Sequence, residues 1–403
     1  MSDDEVSINE VDEEQEITDL SNSDVCTKYQ EAAKIVNLAL EGLVQQCIPG
    51  AKVLDLCEFG HTVMEAQAAK LYQKKVNGVA IDRGVAFPVC ISVNDVVCNH
   101  SPLPTEERPP LKAGDIVKMD LGCHIDGYIA VAAHTCVVTE SPDAQPEKNE
   151  ELGNVAVAAY NAMLVAAASI KAGATNADVT KAVERVASAY GVTPISSVRM
   201  HQMKRYVLDG VKEVALKAPV PDDPEEEKVP ECTFEQAEVY AVDVAMSTGD
   251  GKARPGEFRT TVFKRNVEQQ YHLKVKAARQ LLAEVDKKFP TLPFTMRHLS
   301  DLRSAKLGIT ECITHGLLTP YPSMHDYSGK VAHFKCTVLL LPSGTARVTG
   351  LTLPPYFSTD KAADEETQKV LEEIAAVEAK KAAKKAAKKK NKKKKKSEVT
   401  LSA

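Results

Sequence analysis

The feature that most constrains the fold of this 403-residue chain is an Asp within an apolar strand, a few residues ahead of an Asp-Gly turn. It occurs twice: Asp120 precedes the turn at 126–127, and Asp243 precedes the turn at 250–251. Asp-Gly between apolar strands strongly favours a two-residue hairpin turn. Two predicted helices precede each hairpin. The pattern therefore predicts a pseudo-twofold helix–helix–hairpin repeat with both Asp residues facing one cleft; chance recurrence of short patterns is the alternative.

Hydrophobic periodicity places the remaining elements. The predicted fold class is α/β with α+β character. The 403 residues allow one large domain or two ordinary ones, and 44% hydrophobic residues suffice for a core. One helix is predicted to begin near Thr27, and three more are predicted at about 60–75, 152–172 and 176–190. The predicted strands are a strand-rich run at 84–103, two hairpins at 116–137 and 237–265, and a last strand at 331–342. A helical insert is predicted at 266–318.

Charge is concentrated at the two ends of the chain. Residues 1–24 carry ten acidic side chains and no basic one, and this composition predicts disorder. Residues 356–403 are predicted to form a charged helix that ends in a disordered tail, with twelve Lys and no acid in 380–396. Such runs bind RNA or act as nuclear or nucleolar signals. The tail residues predicted to contact RNA are Lys388, Lys389, Lys390, Lys392 and Lys393.

The ten Cys residues form no CxxC pair and no metal-type cluster. Most lie in apolar runs, where Cys acts as a small buried hydrophobe. The N-terminus lacks the apolar segment of a signal peptide, and no apolar stretch has the ~20 residues that span a bilayer. The sequence therefore predicts a soluble protein of a reducing, intracellular compartment, without a membrane partner.

The first hairpin fixes the environment of Asp120. A two-residue loop pairs Gly122 with Val131, which puts Asp120 and Val131 on one face of the sheet, diagonally about 7–8 Å apart. Two carboxylates at that spacing could bridge a pair of divalent ions, but a Val supplies no ligand. The alternative is an Asp120 that is hydrogen-bonded to loop amides.

Lys335 stands in the middle of the apolar run 331–342. A buried Lys is rare without a partner, and Asp120 and Asp243 are the available anions. An ammonium between them would stand where a metal ion would. The alternative is a Lys at a strand edge whose charged end reaches solvent.

Four segments, AFPVCISVNDVVCNHSP, VKMDLGCHIDGYIAVAAHT, VYAVDVAMSTG and HFKCTVLLLP, resemble type 2 methionine aminopeptidases in order and spacing, over about residues 27–355. The Lys in HFKCTVLL, the run YAVDVAMSTGDGKA and the Lys-rich C-terminus are similar to the proliferation-associated protein family, also described as curved-DNA-binding or ErbB-receptor-binding proteins. The resemblance implies the pita-bread aminopeptidase fold without the activity, as one domain over residues 25–355 that contains the insert at about 266–318.

The resemblance also implies a ligand correspondence. Of the enzyme's five metal-ligand positions, two keep their residues, one carboxylate is shortened and two are lost, and the substrate-binding His is kept. We therefore predict a vestigial site without metal or cofactor, and no enzyme activity. The two His residues are alternatively ordinary core or surface residues. The ligand positions are Asp120, Val131, His201, Asp243 and Lys335, and the substrate-binding position is His100.

Basic residues near the second hairpin and the insert predict a polyanion-binding surface, because the rest of the body is acidic. A solvated helix face is the alternative. With no Trp and no RNA-recognition motif of aromatic type, contact with phosphates and with RNA shape fits better than base stacking. The candidates are Lys252, Arg254, Arg259, Lys264, Arg265, Lys274, Lys276 and Arg279.

Three functions remain open at this point. The resemblance implies a non-catalytic protein, expected to be a monomer, that binds ribosomes near the nascent-chain exit, ribosomal RNA and pre-ribosomes, with cytoplasmic and nuclear or nucleolar pools. It also implies binding to DNA and regulatory proteins. An active methionine aminopeptidase with a degenerate site and a DNA-binding regulator are the alternatives. Val131 and Lys335 argue against the enzyme.

Overall fold

The computed structural model describes residues 18–76, 78–106, 108–141, 144–219, 228–380 and 383. The predicted tail contacts, Lys388 to Lys390, Lys392 and Lys393, lie outside the described residues, as does most of the segment 1–24. Within 18–24 the prediction of disorder is wrong. Leu20 is buried, and the side chain of Asn22 caps the first helix by accepting from the Asp24 N–H.

Two pairs of helices and two further helices in the insert account for most of the helical structure. The predicted position of α2 is about two turns too far along the chain, because the residues that face the core run from Val53 to Ala68. Helices α3 and α4 confirm their predictions. The helices are α1 Ser23–Gln46, α2 Val53–Ala68, α3 Glu150–Ser169, α4 Asn176–Tyr190, α5 Lys276–Lys288, α6 Leu302–Thr314 and a C-terminal helix α7 at 365–380.

The strands form one large sheet and two small ones. The large sheet has the order β1-β3-β4-β14-β8-β6-β7, with β15 on β14 and β5 on β8. The strands are β1 Arg83–Val93, β2 Val96–Cys98, β3 Ile116–Ile125, β4 Tyr128–Val137, β5 Thr193–Pro194, β6 Arg199–Met203, β7 Glu213–Ala215, β8 Val239–Ser247, β9 Arg254–Pro255, β10 Val262–Arg265, β11 Phe294–Thr295, β12 Leu318–Tyr321, β13 Met324–His325, β14 Val331–Leu341 and β15 Gly344–Arg347.

Each half of the large sheet carries its own helix pair. Helices α1 and α2 pack on β1, β3 and β4, whereas α3 packs on β14 and β8 and α4 packs on α3 and β7. Separate apolar clusters fill the two interfaces. A pseudo-twofold repeat of a helix pair and a strand pair is therefore present, although only the first strand pair is the hairpin that the sequence predicts.

The first hairpin has the predicted register. Gly122 pairs with Val131, and the turn residues Asp126 and Gly127 have φ of 56° and 76°, as a type I′ turn requires. The carboxylate of Asp126 is held by Lys28 and Arg205 at 2.8 and 2.6 Å, which fixes the turn to α1 and to the loop after β6.

The second hairpin was predicted wrongly. β8 pairs with β14, from Val331↔Ser247 to Leu339↔Val239, and not with the residues that follow 250–251. β9 leaves the large sheet and pairs with β13. An insertion at 248–330 separates the two strands of the second pair, so local turn signals could not identify the partner of β8.

The insert is mixed rather than helical. β10 pairs with β11 and β12 in a three-stranded sheet, and α5 and α6 pack against each other beside it. Its own apolar core includes Phe263, Leu281, Phe294 and Ile309. The short β11 and β12 escaped prediction because two to four residues give no clear alternation.

One sequence expectation about membranes needs correction. Helix α3 is long and apolar enough to cross a bilayer by length and composition, although 72% of its most apolar window is buried inside the protein. Its packing on β14, β8 and α4 accounts for that composition.

Candidate functional site

Three charged side chains lie in one row across the middle of the large sheet. Asp120 on β3 and Lys335 on β14 both pair with Ala133 on β4, and Lys335 also pairs with Asp243 on β8. The Lys335 Nζ lies 2.6 Å from Asp120 Oδ2 and 2.8 Å from Asp243 Oδ2. The structure confirms the predicted placement of Lys335 between the two Asp residues and excludes the strand-edge alternative.

Burial and mutual attraction set the protonation of the row. Burial disfavours the charged form of Lys335, but Asp120 and Asp243 outweigh it and raise the Lys335 pKa above its ordinary value. Burial also opposes ionisation of Asp243, yet Lys335 and His333 lower its pKa to about 2. Burial raises the pKa of Asp120, and Lys335 offsets only part of that rise. Lys335 is thus a charged, buried cation at neutral pH.

Hydrogen-bond contacts explain why the pKa of Asp243 is lowered whereas the pKa of Asp120 is raised. Asp243 accepts from Lys335 and also from His333, whose Nε2 lies 2.5 Å from Asp243 Oδ1. The second oxygen of Asp120, Oδ1, has no hydrogen-bond partner among the described residues. Asp243 is therefore the more strongly stabilised anion.

His333 is a site residue that the sequence reasoning missed. It precedes Lys335 by two positions on β14, and side chains at i and i+2 of a strand share a face. That alternation was the available signal. The His333 backbone is also anchored, because its N–H donates to Thr135 Oγ1 at 2.8 Å and its carbonyl accepts from the same hydroxyl at 2.7 Å.

Val131 is held in place by packing and backbone hydrogen bonds. Its side chain is buried, and a Cβ added at Gly122 would lie 2.8 Å from Val131 Cγ1. Its N–H donates to Thr337 Oγ1 at 2.8 Å, and its carbonyl accepts from Thr337 and Thr349 at 3.0 and 2.6 Å. A methyl-bearing side chain thus fills the position that the resemblance assigns to a carboxylate.

The residues present do not fit the two-metal site of the aminopeptidases that the sequence resembles. Asp120, Asp243 and His333 bring three donor atoms within 4.8 Å of one another. The Lys335 ammonium, however, already bonds to both carboxylates, and Val131 offers no ligand atom. A dication would have to displace a buried cation, so this arrangement does not support a metal-activated water.

The two predicted His positions have different surroundings. His201 on β6 pairs with Ala241 and lines the cavity beside the charged row, with Nδ1 3.8 Å from Glu213 Oε1. His100 is buried, and its ring lies 4.6 Å from that of Phe258, outside the residues that line the cavity. Burial, together with Arg108 and His325, lowers the pKa of His100 to about 3. His100 is therefore a neutral, packed side chain.

A small cavity and a larger groove adjoin the row. The cavity has a volume of about 150 Å³ and is lined by Asp120, Asp243 and Lys335 among others. The groove has about 960 Å³ and runs along α4 and β7. The two share Ser197, Arg199 and His201 in their walls.

The predicted basic residues lie in three settings. Lys252 and Arg254 are exposed and line the groove. Arg259 is 54% exposed, and its Nε lies 3.7 Å from Glu106 Oε1. Lys274, Lys276 and Arg279 are exposed around the start of α5.

Lys264 and Arg265 are committed to structural contacts. Lys264 Nζ lies 2.7 Å from Asp209 Oδ2, in an ion pair beside the cavity. The Arg265 side chain is only 10% exposed, and its Nε lies 2.8 Å from Asp286 Oδ1. Its Nη1 also donates to the carbonyls of Asn266, Gln269 and Leu317. Arg265 therefore joins β10 to α5 and to the end of α6.

Comparison with known proteins supports the resemblance found in the sequence. Residues 27–221 match metallopeptidase family M24. The chain is 44% identical to "ErbB-3 binding protein 1" of Solanum tuberosum, over 91% of this chain and 89% of that protein. It is 38% identical to "Proliferation-associated protein A" of Dictyostelium discoideum, over 88% of this chain and 90% of the relative.

Solved structures agree with the architecture. A thermophilic Arx1 superposes with a TM-score of 0.78 at 28% identity, covering 87% of this chain and 98% of that one. Methionine aminopeptidase from Rickettsia prowazekii superposes at 0.51 with 16% identity, covering 82% and 98%, a likeness of fold alone. The aminopeptidase-like pita-bread fold expected from the sequence is confirmed.

Proposed function

The chain belongs to the proliferation-associated and ErbB-3-binding protein family within metallopeptidase family M24, and we propose that it is a non-catalytic member that binds ribosomes and structured RNA. The observation that carries the first half of the proposal is the Lys335 ammonium bonded to both Asp120 and Asp243.

The ammonium opposes metal binding directly. At about 4 Å and an effective dielectric of 20, each pair of unit charges interacts by about 4 kcal/mol, so a fixed cation strongly disfavours a dication beside it. Val131 stands at a further ligand position and has no atom that can bind a metal ion. Without a metal ion, water near neutral pH is too weak a nucleophile for peptide hydrolysis by this type of site.

Exposed cations on the folded body support the RNA-binding half. Helix α5 begins after Val275 with no side-chain cap and no acidic residue in its first turn. Lys274 and Lys276 flank this terminus and are exposed. A cation beside the positive end of a helix dipole is unfavourable by a few tenths to about 1 kcal/mol, whereas a phosphate there is favourable. The Glu311 carboxylate already accepts from the Lys274 and Val275 N–H groups at 2.7 and 3.0 Å. The support for phosphate binding is therefore the pair of exposed ammonium groups of Lys274 and Lys276, which can contact an RNA backbone.

The root of the basic tail is fixed to the body. Arg347 Nη2 lies 2.5 Å from Glu378 Oε1 on α7, and Arg185 pairs with Glu366 at 2.6 Å. The tail thus starts from a defined place beside α4 and β15. We propose that it adds sequence-independent phosphate contacts and directs part of the protein to the nucleus and nucleolus, with the rest cytoplasmic.

Ribosome sedimentation tests the proposal. Reversing Lys274, Lys276 and Arg279 to Glu should strongly reduce cosedimentation of the full chain with ribosomes. The control is Lys70→Glu, Lys74→Glu and Lys75→Glu, an equal change of charge on exposed residues around the end of α2. Equal binding by both variants would reject the start of α5 as the RNA-contacting surface.

DNA binding is the second candidate, because a relative from Schizosaccharomyces pombe is named "Curved DNA-binding protein" and is 36% identical over 81% of this chain and 83% of that protein. The same cations would contact either phosphate backbone. Competition between ribosomes and duplex DNA for the protein distinguishes RNA binding from DNA binding. The salt concentration is held fixed, since salt alone changes both affinities. Displacement of ribosomes by equimolar duplex would favour DNA.

A further inference from the structure

An aromatic side chain stands among the exposed cations near the start of α5. Tyr271 keeps 39% of its surface exposed. One side of its ring is covered by the imidazole of His315, the residue that follows the end of α6. The two ring centroids are 3.5 Å apart and the planes are tilted by only 12°. The part of Tyr271 that solvent reaches therefore lies away from His315.

The segment that carries Tyr271 runs along one face of α6. Glu311 and His315 are four residues apart, so they lie on the same face of this helix. Tyr271 rests on His315, and the Glu311 carboxylate accepts from the Lys274 and Val275 N–H groups at 2.7 and 3.0 Å. Lys274 is thus held beside the aromatic ring, about one helical turn (~5 Å) along α6.

The backbone between Tyr271 and α5 is fixed from both sides. Arg279 Nη1 donates to the carbonyls of Leu273 and Lys274 at 2.9 and 2.7 Å, opposite the N–H groups that Glu311 accepts. The Leu273 side chain is buried in the apolar core of the insert. Tyr271 and Lys274 are therefore held together before any ligand binds, which lowers the entropy cost of binding.

The charges around Tyr271 favour an anionic ligand. Lys274, Lys276 and Arg279 are all exposed. Glu311 is the acid that contacts this segment, and both of its oxygens already accept from backbone N–H groups. A nucleotide matches this combination, because its base can stack on an aromatic ring while its phosphate contacts a cation.

A second exposed Tyr has a different setting. Tyr327 is 68% exposed, and its ring stacks on His325 with the centroids 5.2 Å apart. Its surroundings are acidic, since Asp326 precedes it and His325 Nδ1 lies 2.8 Å from Asp95 Oδ2. An exposed ring supported by an imidazole is therefore not enough, and the neighbouring cations are what distinguish Tyr271.

We propose that Tyr271 and Lys274 bind an unpaired nucleotide of RNA. The base stacks on the exposed side of the Tyr271 ring, and the adjoining phosphate contacts Lys274 or Lys276. The inference rests on the proposed RNA binding and adds to it a preference for RNA with bulged or looped bases. In a continuous duplex the base faces are already stacked on one another, so the ring gains no contact there.

Binding of two RNA probes to the full-length chain at fixed salt, measured by fluorescence anisotropy, tests the proposal. One probe is an RNA stem with a bulge of unpaired uridines, and the other is a fully paired stem with the same number of phosphates. We expect the bulged stem to bind more tightly. Tyr271→Ala should weaken binding of the bulged stem about five- to 100-fold and leave binding of the paired stem unchanged.

Two further variants are the controls for this measurement. Tyr271→Phe keeps the ring and should keep the preference for the bulged stem. Tyr327→Ala removes the other exposed ring that stacks on an imidazole, and it should bind both stems as the wild type does.

Fluorescence gives a direct readout of stacking, because the chain contains no Trp. In Tyr271→Trp, the bulged stem should quench the indole fluorescence and the paired stem should not. In Tyr327→Trp, neither stem should quench it.

The proposal is overturned if the wild-type chain binds both stems equally, if Tyr271→Ala keeps the preference, or if a DNA stem with the same bulge binds more tightly than the RNA stem. Equal binding of both stems that is lost on Lys274→Glu and Lys276→Glu would retain RNA binding by the cations and reject the stacking alone. A wild-type chain that binds neither stem would reject both.

Discussion

Lys335 and Asp243 face each other directly across β14 and β8, with the ammonium 2.8 Å from the carboxylate. The same ammonium reaches Asp120 on β3, in the other half of the sheet. One side chain thus joins Asp residues from both halves of the pseudo-repeat. The cation that holds the two Asp residues together is the Lys335 side chain itself. The contacts of the row should therefore not depend on added metal.

Removing that cation should be costly. Lys335→Met would leave two carboxylates facing each other in the core, and loss of one partner of a buried ion pair typically costs about 3–5 kcal/mol. Urea denaturation should show this decrease in the free energy of unfolding. Lys330→Met is the matched control, because Lys330 pairs with Glu151 at the surface and exposed pairs contribute at most about 1 kcal/mol. Equal stabilities of the two variants would show that Lys335 is not a buried, paired cation.

Acid should destabilise the protein partly through His134. Burial lowers the pKa of His134 to about 4, and its ring packs against Phe334 at 5.4 Å. The unfolded chain binds this proton below about pH 6.5 and the folded chain only near pH 4, so stability falls as pH falls through that window.

In His134→Leu, the loss of stability between pH 7 and pH 4 should therefore be smaller by up to about 3 kcal/mol, since each pKa unit corresponds to 1.36 kcal/mol. Urea titrations across this range measure it. The exposed His272→Leu is the control for replacing an imidazole with an apolar side chain at the surface. A His134→Leu profile that parallels the wild type would mean that His134 titrates normally in the folded state.

The contact between Gly122 and Val131 should appear as an energetic coupling. A Cβ at Gly122 would lie 2.8 Å from Val131 Cγ1, closer than packed carbons approach. Gly122→Ala should cost about 1–3 kcal/mol by overpacking. In the Val131→Ala background the same substitution should cost clearly less, because the clashing methyl is gone. Thermal denaturation of the four chains measures the coupling, and additive effects would contradict the packing.

The basic tail and the body should contribute differently to ribosome binding. Deleting 384–403 keeps α7 but removes ten Lys. We expect weaker binding and a shallower salt dependence, because each lost phosphate contact lowers the slope of log affinity against log salt by about 0.7–0.9. A specific complex should remain. Complete loss of sedimentation on tail deletion, with no effect of the α5 reversals, would show that the tail alone binds.

Local signals predicted the first hairpin well. Asp126 and Gly127 specify both the turn type and the two-residue loop, and the loop alone fixes the register that pairs Gly122 with Val131. Lys335 was predictable because an isolated charge in an apolar strand needs an anionic partner, and only a few Asp residues lay in comparable strands.

Long-range pairing explains what the sequence did not reveal. The partner of β8 lies beyond an insertion at 248–330, so the nearer Asp250-Gly251 turn suggested the wrong hairpin. His61 on α2 and His298 in the insert are far apart in sequence, and only the docking of the insert on α2 brings their ring centroids to 3.9 Å. Arg265 looked like a surface cation, but carbonyl oxygens from two later segments surround its guanidinium.

Metal content and peptide turnover of the same purified sample test the central claim most directly. We predict that chelation and added Co²⁺, Mn²⁺ or Zn²⁺ leave methionyl-peptide cleavage undetectable, and that no metal occupies the row of Asp120, Asp243 and Lys335. About two ions per chain, together with peptide cleavage that Asp120→Ala abolishes, would contradict a non-catalytic protein built around a buried lysine.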